Sequence, residues 1–221
     1  MKKLIIKYAL EFLVVFLGIS LSFGLNNWNE QNKRDQLEIQ YLNSLLDDFR
    51  ANLEAFDQAF DMHLVQNKAV AFFLSEARFT AAYPVMNSVA TTVTINWSYN
   101  PNMGVANSLI NSGSLELIQN NEIKTLLSRF PDFVVDYTEE EVRTEKVSTQ
   151  LDEFMIVNYI FDAKNTAEQK QNLKMLRSHE FYNHVVIINS WLKEIISEGP
   201  VFREKLVYFI QLLEQDIAAN S

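Results

Sequence analysis

Residues 8–25 read YALEFLVVFLGISLSFGL, an apolar run of 18 residues with one charge, Glu11. As a helix rising about 1.5 Å per residue, the run spans about 27 Å, enough for a thin hydrocarbon core. Lys2, Lys3 and Lys7 precede it, whereas Lys33 and Arg34 follow it beside Glu30 and Asp35. Because basic residues resist translocation, this asymmetry predicts a cytoplasmic tip over 1–7, a transmembrane helix over 8–28 and an extracytoplasmic remainder over 29–221. Tyr8 and Trp28 bracket the span as interfacial aromatics, with Asn26 and Asn27 at the same level. A cleaved signal peptide is the competing reading, since Ser22-Phe23-Gly24 is a small-x-small site. Glu11 interrupts what would be the most apolar part of such a signal, so the expected outcome is a retained anchor.

Glu11 itself calls for a reason, because a carboxylate at mid-bilayer costs about 2.5–3.5 kcal/mol on insertion scales. One reading places it at the headgroup level near Lys7, one turn earlier. The other is a polar contact with a second transmembrane helix. Glu11, Gly18 and Ser22 share one helical face, and small residues four apart let two backbones approach closely. Phe12, Phe16, Ile19 and Phe23 carry bulk on other faces.

Two blocks of the sequence resemble a known family. The first is Glu11-Phe-Leu-Val-Val-Phe-Leu-Gly18-Ile-Ser with the exit Asn26-Asn27-Trp28-Asn29-Glu30. The second is Ser108-Leu-Ile-Asn-Ser112-Gly113-Ser-Leu-Glu-Leu-Ile118-Gln-Asn120. Both look like an uncharacterised family, a domain of unknown function, of single-span bacterial inner-membrane proteins. The resemblance implies topology and fold, and it implies no mechanism. Where members of that family often carry Ile-Ala-Leu-Gln before the Asn pair, this chain has Leu21-Ser-Phe-Gly-Leu.

Beyond the span the fold class follows from turn chemistry. Five Gly and four Pro in 221 residues are too few for a sandwich or barrel, and 48% apolar residues can build a core. The expectation is all-α: an N-terminal transmembrane helix followed by an extracytoplasmic antiparallel bundle. Leu37, Tyr41, Leu45, Phe49, Leu53, Phe56, Phe60 and Leu64 step by three and four along one face. No Pro or Gly occurs between Leu25 and Tyr83, so one helix of unusual length is predicted, with a kink at Asn26–Asn29 as an option. Thr80 to Pro101 reads as a helical excursion or an irregular loop. Asn100-Pro101 is expected to cap a helix that Gly113 ends in a left-handed conformation. Pro131 is expected to restart a helix running to Tyr159, Asn165 to open another, and Gly199-Pro200 to separate the last one.

The search for chemistry excludes more than it finds. There is no Cys, which removes thiol catalysis, zinc ribbons and iron–sulfur ligation. His179-Glu180-Phe-Tyr-Asn-His184 superficially matches the zinc-protease motif, but its second His comes one residue late, rotated about 140° off the first. The residues three before His63, His179 and His184 are Phe60, Leu176 and Phe181, so the Glu-x-x-His pairs of di-iron bundles are missing. Glu180 with His184 reads as a surface pair. Asp47 with Asp48, and Asp57 with Asp61 and His63, read as solvated helix faces. Glu139, Glu140, Glu141 and Glu145 lack the alternation and Gly of a calcium loop and suit the early turns of a helix. No catalytic, cofactor or metal site is predicted. From Glu30 onward there are 27 acidic and 16 basic residues, which disfavours nucleic acid as a partner. Trp97, Tyr99 and Asn100, in the irregular segment, form the expected recognition loop.

The leading functional expectation is therefore a non-enzymatic accessory or scaffold subunit of a bacterial envelope complex, with the lipid bilayer and another membrane protein or a second copy as partners. The alternative is a periplasmic ligand-sensing bundle. With so short a segment before the anchor, it would have to signal through a partner.

Overall fold

The computed structural model describes the backbone of residues 2–220 and the side chains of residues 11–220. Its elements are α1 (Lys2–Leu74), α2 (Ala77–Thr80), α3 (Tyr83–Val93), α4 (Gly104–Ser112), a 3-10 turn (Ser114–Leu117), α5 (Asn121–Asn158), α6 (Thr166–Leu176) and α7 (His179–Asn220). The protein is all-helical, and no strand occurs among the described residues.

The 73 residues of α1 form one unbroken helix about 110 Å long. The helix passes through Asn26–Asn29 without interruption. There the Asn26 side chain donates to Glu30 Oε1 at 3.0 Å, one turn on, instead of competing for backbone groups. Along its length α1 changes character once. From Glu11 to Leu37 no side chain is buried. From Glu38 onward one side is covered. Besides Glu38 at its start and Leu46 and Ala69 at its margins, the covered seam consists of Leu42, Leu45, Phe49, Asn52, Phe56, Ala59, His63, Gln66, Val70 and Phe73. Their steps alternate strictly between three and four.

The same alternation runs through α5 and α7. In α5 it reads Ile123, Leu127, Phe130, Val134, Tyr137, Glu141, Thr144, Ser148, Leu151, Met155, all buried except the half-buried Val134. In α7 it reads Phe181, Val185, Ile188, Leu192, Ile195, Gly199, Phe202, Leu206, Phe209, Leu213. A period of 3.5 keeps each seam facing its neighbours over many turns, as in a coiled coil. α7 lies antiparallel to α1: Phe73 meets Phe181 with centroids 4.9 Å apart, and Phe49 meets Phe209 at 4.3 Å. Two surface ion pairs follow the same alignment, Arg50 with Glu214 and Asp57 with Arg203. Exposed pairs of this kind add little stability, so the seams hold the fold.

Several expected breaks are absent. Pro131 lies inside α5 and Pro200 inside α7. An internal Pro costs roughly 3 kcal/mol, yet both helices continue because the buried seam runs uninterrupted on either side. Gly199 is a notch in that seam, since a Cβ there would overlap the ring of Phe60. Helix α5 begins at Asn121, capped by Asn120, whose Oδ1 accepts from the backbone N–H groups of Glu122 and Ile123. Asn100-Pro101 does not cap α4, which starts at Gly104, because the preceding segment is held by other residues described below. The Thr80–Pro101 excursion contains a real helix, α3, with Pro84 in its first turn. Gly113 does adopt the left-handed conformation, with φ of 74°. Asn165 does open α6, through a capping box with Glu168.

Candidate functional site

The first 27 described side chains of α1 form the feature that sets this molecule apart. Phe12, Val14, Leu21, Phe23, Leu25 and Trp28 are all at least 65% exposed, on a helix whose every other long apolar stretch is covered. Glu11, Gly18 and Ser22 are exposed and in line on one side. Ser22 Oγ donates to the Gly18 carbonyl at 2.9 Å, which satisfies the hydroxyl within its own helix. A Cβ at Gly18 would meet nothing within 4 Å. Phe12 and Phe16 stack on another side, with centroids 6.2 Å apart. Asn26, Asn27 and Trp28 follow the apolar stretch and are exposed. The Tyr8 side chain, expected at the opposite interface, lies outside the described residues.

The irregular segment between α3 and α4 divides the expected recognition residues. Trp97 is 43% exposed and Asn100 is exposed, whereas Tyr99 is buried and presents no surface. Its ring packs edge-on against Phe56 at 5.6 Å and against Phe202 at 5.4 Å. The segment has no regular hydrogen bonding, so its backbone groups need partners from elsewhere. Buried polar side chains of two long helices supply them. Gln66 Nε2 donates to the Val93 carbonyl at 2.9 Å, closing the end of α3. Asn52 takes both backbone groups of Asn102, donating to its carbonyl at 3.0 Å and accepting from its N–H at 2.6 Å. Glu141 Oε2 accepts from the Tyr99 N–H at 2.9 Å.

The other oxygen of Glu141 accepts from His63 Nε2 at 2.8 Å, and both side chains are 1% exposed. This corrects two sequence readings. His63 does not belong to the solvated Asp57–Asp61 face, and Glu141 does not share the exposure of Glu139. Both stand at seam positions, on α1 and α5, where rotation drives them inward. Asp57 pairs with Arg203 and Asp61 stays exposed. Burial, followed by the Glu141 charge, pushes the phenols of Tyr99 and Tyr137 well above the ordinary tyrosine range. The hydroxyls of both tyrosines, and His63 Nδ1, are buried without a hydrogen-bond partner.

Among the described residues no group of three or more acidic or histidine side chains is arranged to hold a metal ion. His184 Nδ1 donates to the backbone carbonyl of Glu180 at 2.8 Å, and its ring stacks on Phe154 at 5.9 Å. That is a helix-surface arrangement, with no geometry for a shared ligand.

The fold thus defines a class: an all-helical protein whose long apolar N-terminal helix is compatible with a single membrane crossing. Within that class the chain belongs to DUF6090, a family of unknown function whose model matches residues 11–188. No curated protein and no solved structure matches the chain.

Proposed function

We propose that this protein is a non-enzymatic accessory or scaffold subunit of a bacterial envelope complex. In this reading α1 crosses the inner membrane with its N-terminus in the cytoplasm, and the bundle stands in the periplasm. The observation that carries it is the single change of character along α1, bare and apolar at one end, then seam-packed without an intervening hinge. A flexible tether would need only an apolar helix and a linker. A rigid helix shared by anchor and bundle instead fixes the height and rotation of the bundle relative to any partner in the bilayer.

The orientation is tested by labelling. The chain has no Cys, so Gln150→Cys on the exposed side of α5 introduces a unique thiol. A membrane-impermeant maleimide added to intact spheroplasts is expected to label it as fully as in lysed cells. Protection until lysis would reverse the topology.

The membrane contact is assigned to Glu11, Gly18 and Ser22. Gly18→Leu is expected to lower co-purification of the partner by about tenfold or more, because bulk at a close helix approach separates the backbones. The open space beside Gly18 means that the chain's own fold tolerates the change. Phe16→Leu is expected to leave the complex intact. Equal retention by both variants would reduce the anchor to a tether and move association to the bundle.

A ligand-sensing bundle is the second reading. It is favoured by a cleft of about 240 Å³ between α5 and α7, one wall of which reaches the aromatic layer around Phe56.

A further inference from the structure

Two shallow grooves open on α1, one in its bare stretch and one where the bundle begins. The lower one, of about 320 Å³, is formed beside Gly18 by Ile19, Ser22, Phe23 and Asn26. The upper one, of about 330 Å³, lies between α1 and α4, where Gly104 and Val105 stand across from α1. Its α1 wall repeats the lower groove displaced by 18 positions: Leu37 stands for Ile19, Gln40 for Ser22, Tyr41 for Phe23 and Ser44 for Asn26. At 3.6 residues per turn, 18 positions are five whole turns. In an unbroken helix the two grooves therefore lie on one line along the same side, about 27 Å apart. Each groove also has a glycine beside which a Cβ would meet nothing within 4 Å, Gly18 below and Gly104 above. A neighbouring backbone can come close at both.

Their places constrain what covers them. With α1 crossing the bilayer as proposed, the lower groove faces lipid and the upper one faces water beyond the headgroups. A lipid chain can cover the first and not the second. The upper groove leaves apolar surface wet, with Leu37 44% exposed and Tyr41 and Val105 half-buried. A single segment that covers both must leave the bilayer along a straight line. Within lipid such a segment is helical, because only then are its backbone groups satisfied.

Lys33 decides between a second copy and another protein. It lies on the same line, seven positions after Asn26 and seven before Gln40, and it is exposed. None of the ion pairs among the described residues involves it. Two parallel copies related by a two-fold axis meet residue to residue, which would set Lys33 against Lys33. An acidic residue on a different chain complements that position instead.

We infer that the partner is another membrane protein that presents one continuous helix to α1. That helix packs on Gly18 within the bilayer and runs on for about four turns beyond it. There it lays apolar side chains into the α1–α4 groove, with an acidic residue at the level of Lys33. The inference rests on the proposed membrane contact and extends it from a point to a line.

The test places the photoreactive residue benzoylphenylalanine at Ile19 in one full-length variant and at Leu37 in another, both exposed positions, and irradiates cells that carry the native complex. Both variants are expected to form an adduct with the same protein, at partner residues about 18 positions apart when mapped by mass spectrometry. Gly104→Leu fills the upper groove from open space, and is expected to cut the Leu37 adduct by about tenfold while the Ile19 adduct stays within about twofold. If Gly104→Leu loses helical circular dichroism, Ser108→Leu on the exposed wall of the same groove takes its place. Lys33→Glu is expected to lower co-purification by about fivefold. An adduct of Leu37 with a second copy of the chain would overturn the inference. So would adducts with two different proteins, partner residues on separate segments, or a Leu37 adduct indifferent to the filled groove. An Ile19 adduct with none at Leu37 would overturn it too, and would leave the proposed membrane contact standing. Absence of a protein adduct from both positions would overturn the two together.

Discussion

Replacing Phe56 with Ala is expected to cost about 3–5 kcal/mol, measured as a loss in denaturant midpoint of the full chain in micelles at unchanged slope. Phe56 has no exposed surface and touches rings from every long element of the bundle. Phe60 lies at 5.6 Å on the same helix, Tyr99 at 5.6 Å in the irregular segment, Tyr137 at 5.2 Å on α5 and Phe202 at 5.3 Å on α7. Truncation leaves a cavity that these neighbours cannot close without moving helices whose seams are fixed above and below. Against a typical total stability of about 5–15 kcal/mol, the loss is a large share. A change below about 0.5 kcal/mol would mean that the ring faces solvent or a partner.

Phe56 was legible from the sequence, but the seam to which it belongs was only half so. The apolar stripe Leu37, Tyr41, Leu45, Phe49, Leu53, Phe56, Phe60, Leu64 follows the right helix and drifts off the right face. Leu37 is 44% exposed, and Tyr41, Leu53, Phe60 and Leu64 are half-buried. Following apolar residues alone steps around Asn52, His63 and Gln66, which are the true seam positions. The strict alternation of three and four from Leu42 to Phe73 would have identified them, since His63 lies seven residues after Phe56 and Asn52 seven after Leu45. Polar residues at seam positions hide a coiled coil from hydrophobic periodicity, and in coiled coils they specify register at a cost in stability.

Local signals are similarly uneven guides to this fold. Gly113 and the Asn165–Glu168 box act on their own backbones, so short motifs sufficed to place them. Pro131 and Pro200 are local breakers overruled by tertiary packing, and only the seam continuing past each of them explains why. The Tyr99 side chain looked available because its segment lacks periodicity. Its burial depends on Glu141, 42 residues away in sequence, and no local pattern reports such a partner. Of the cleft, the aromatic and acidic residues were visible singly. Their convergence requires α5 and α7 to be aligned, which rests on the two seams together.

Glu141 is the residue at which these strands meet, and its removal is the second large effect expected. Glu141→Ala should cost about 3–5 kcal/mol, because two buried donors, His63 Nε2–H and the Tyr99 N–H, are left without acceptors at about 1–3 kcal/mol each. Glu141→Gln keeps the volume and should cost only about 1 kcal/mol. Its carbonyl oxygen can still accept from Tyr99, and its amide can donate to His63 once the ring proton moves to Nδ1, where the buried N–H without an acceptor accounts for the residual cost. The contrast between the two variants is the diagnostic measurement. Similar losses for both would show that the carboxylate's charge, which the amide lacks, holds the contact, and that volume and neutral hydrogen bonds do not. A severe Ala variant beside a mild Gln variant would show that the hydrogen bonds themselves tie α1, α5 and the segment before α4 into one body. That tie also fixes the segment that carries the exposed Trp97 against the bundle. Loosening it in the Ala variant should therefore increase hydrogen exchange across residues 94–103 while the exchange of residues 12–30, whose side chains are all exposed, stays as it was.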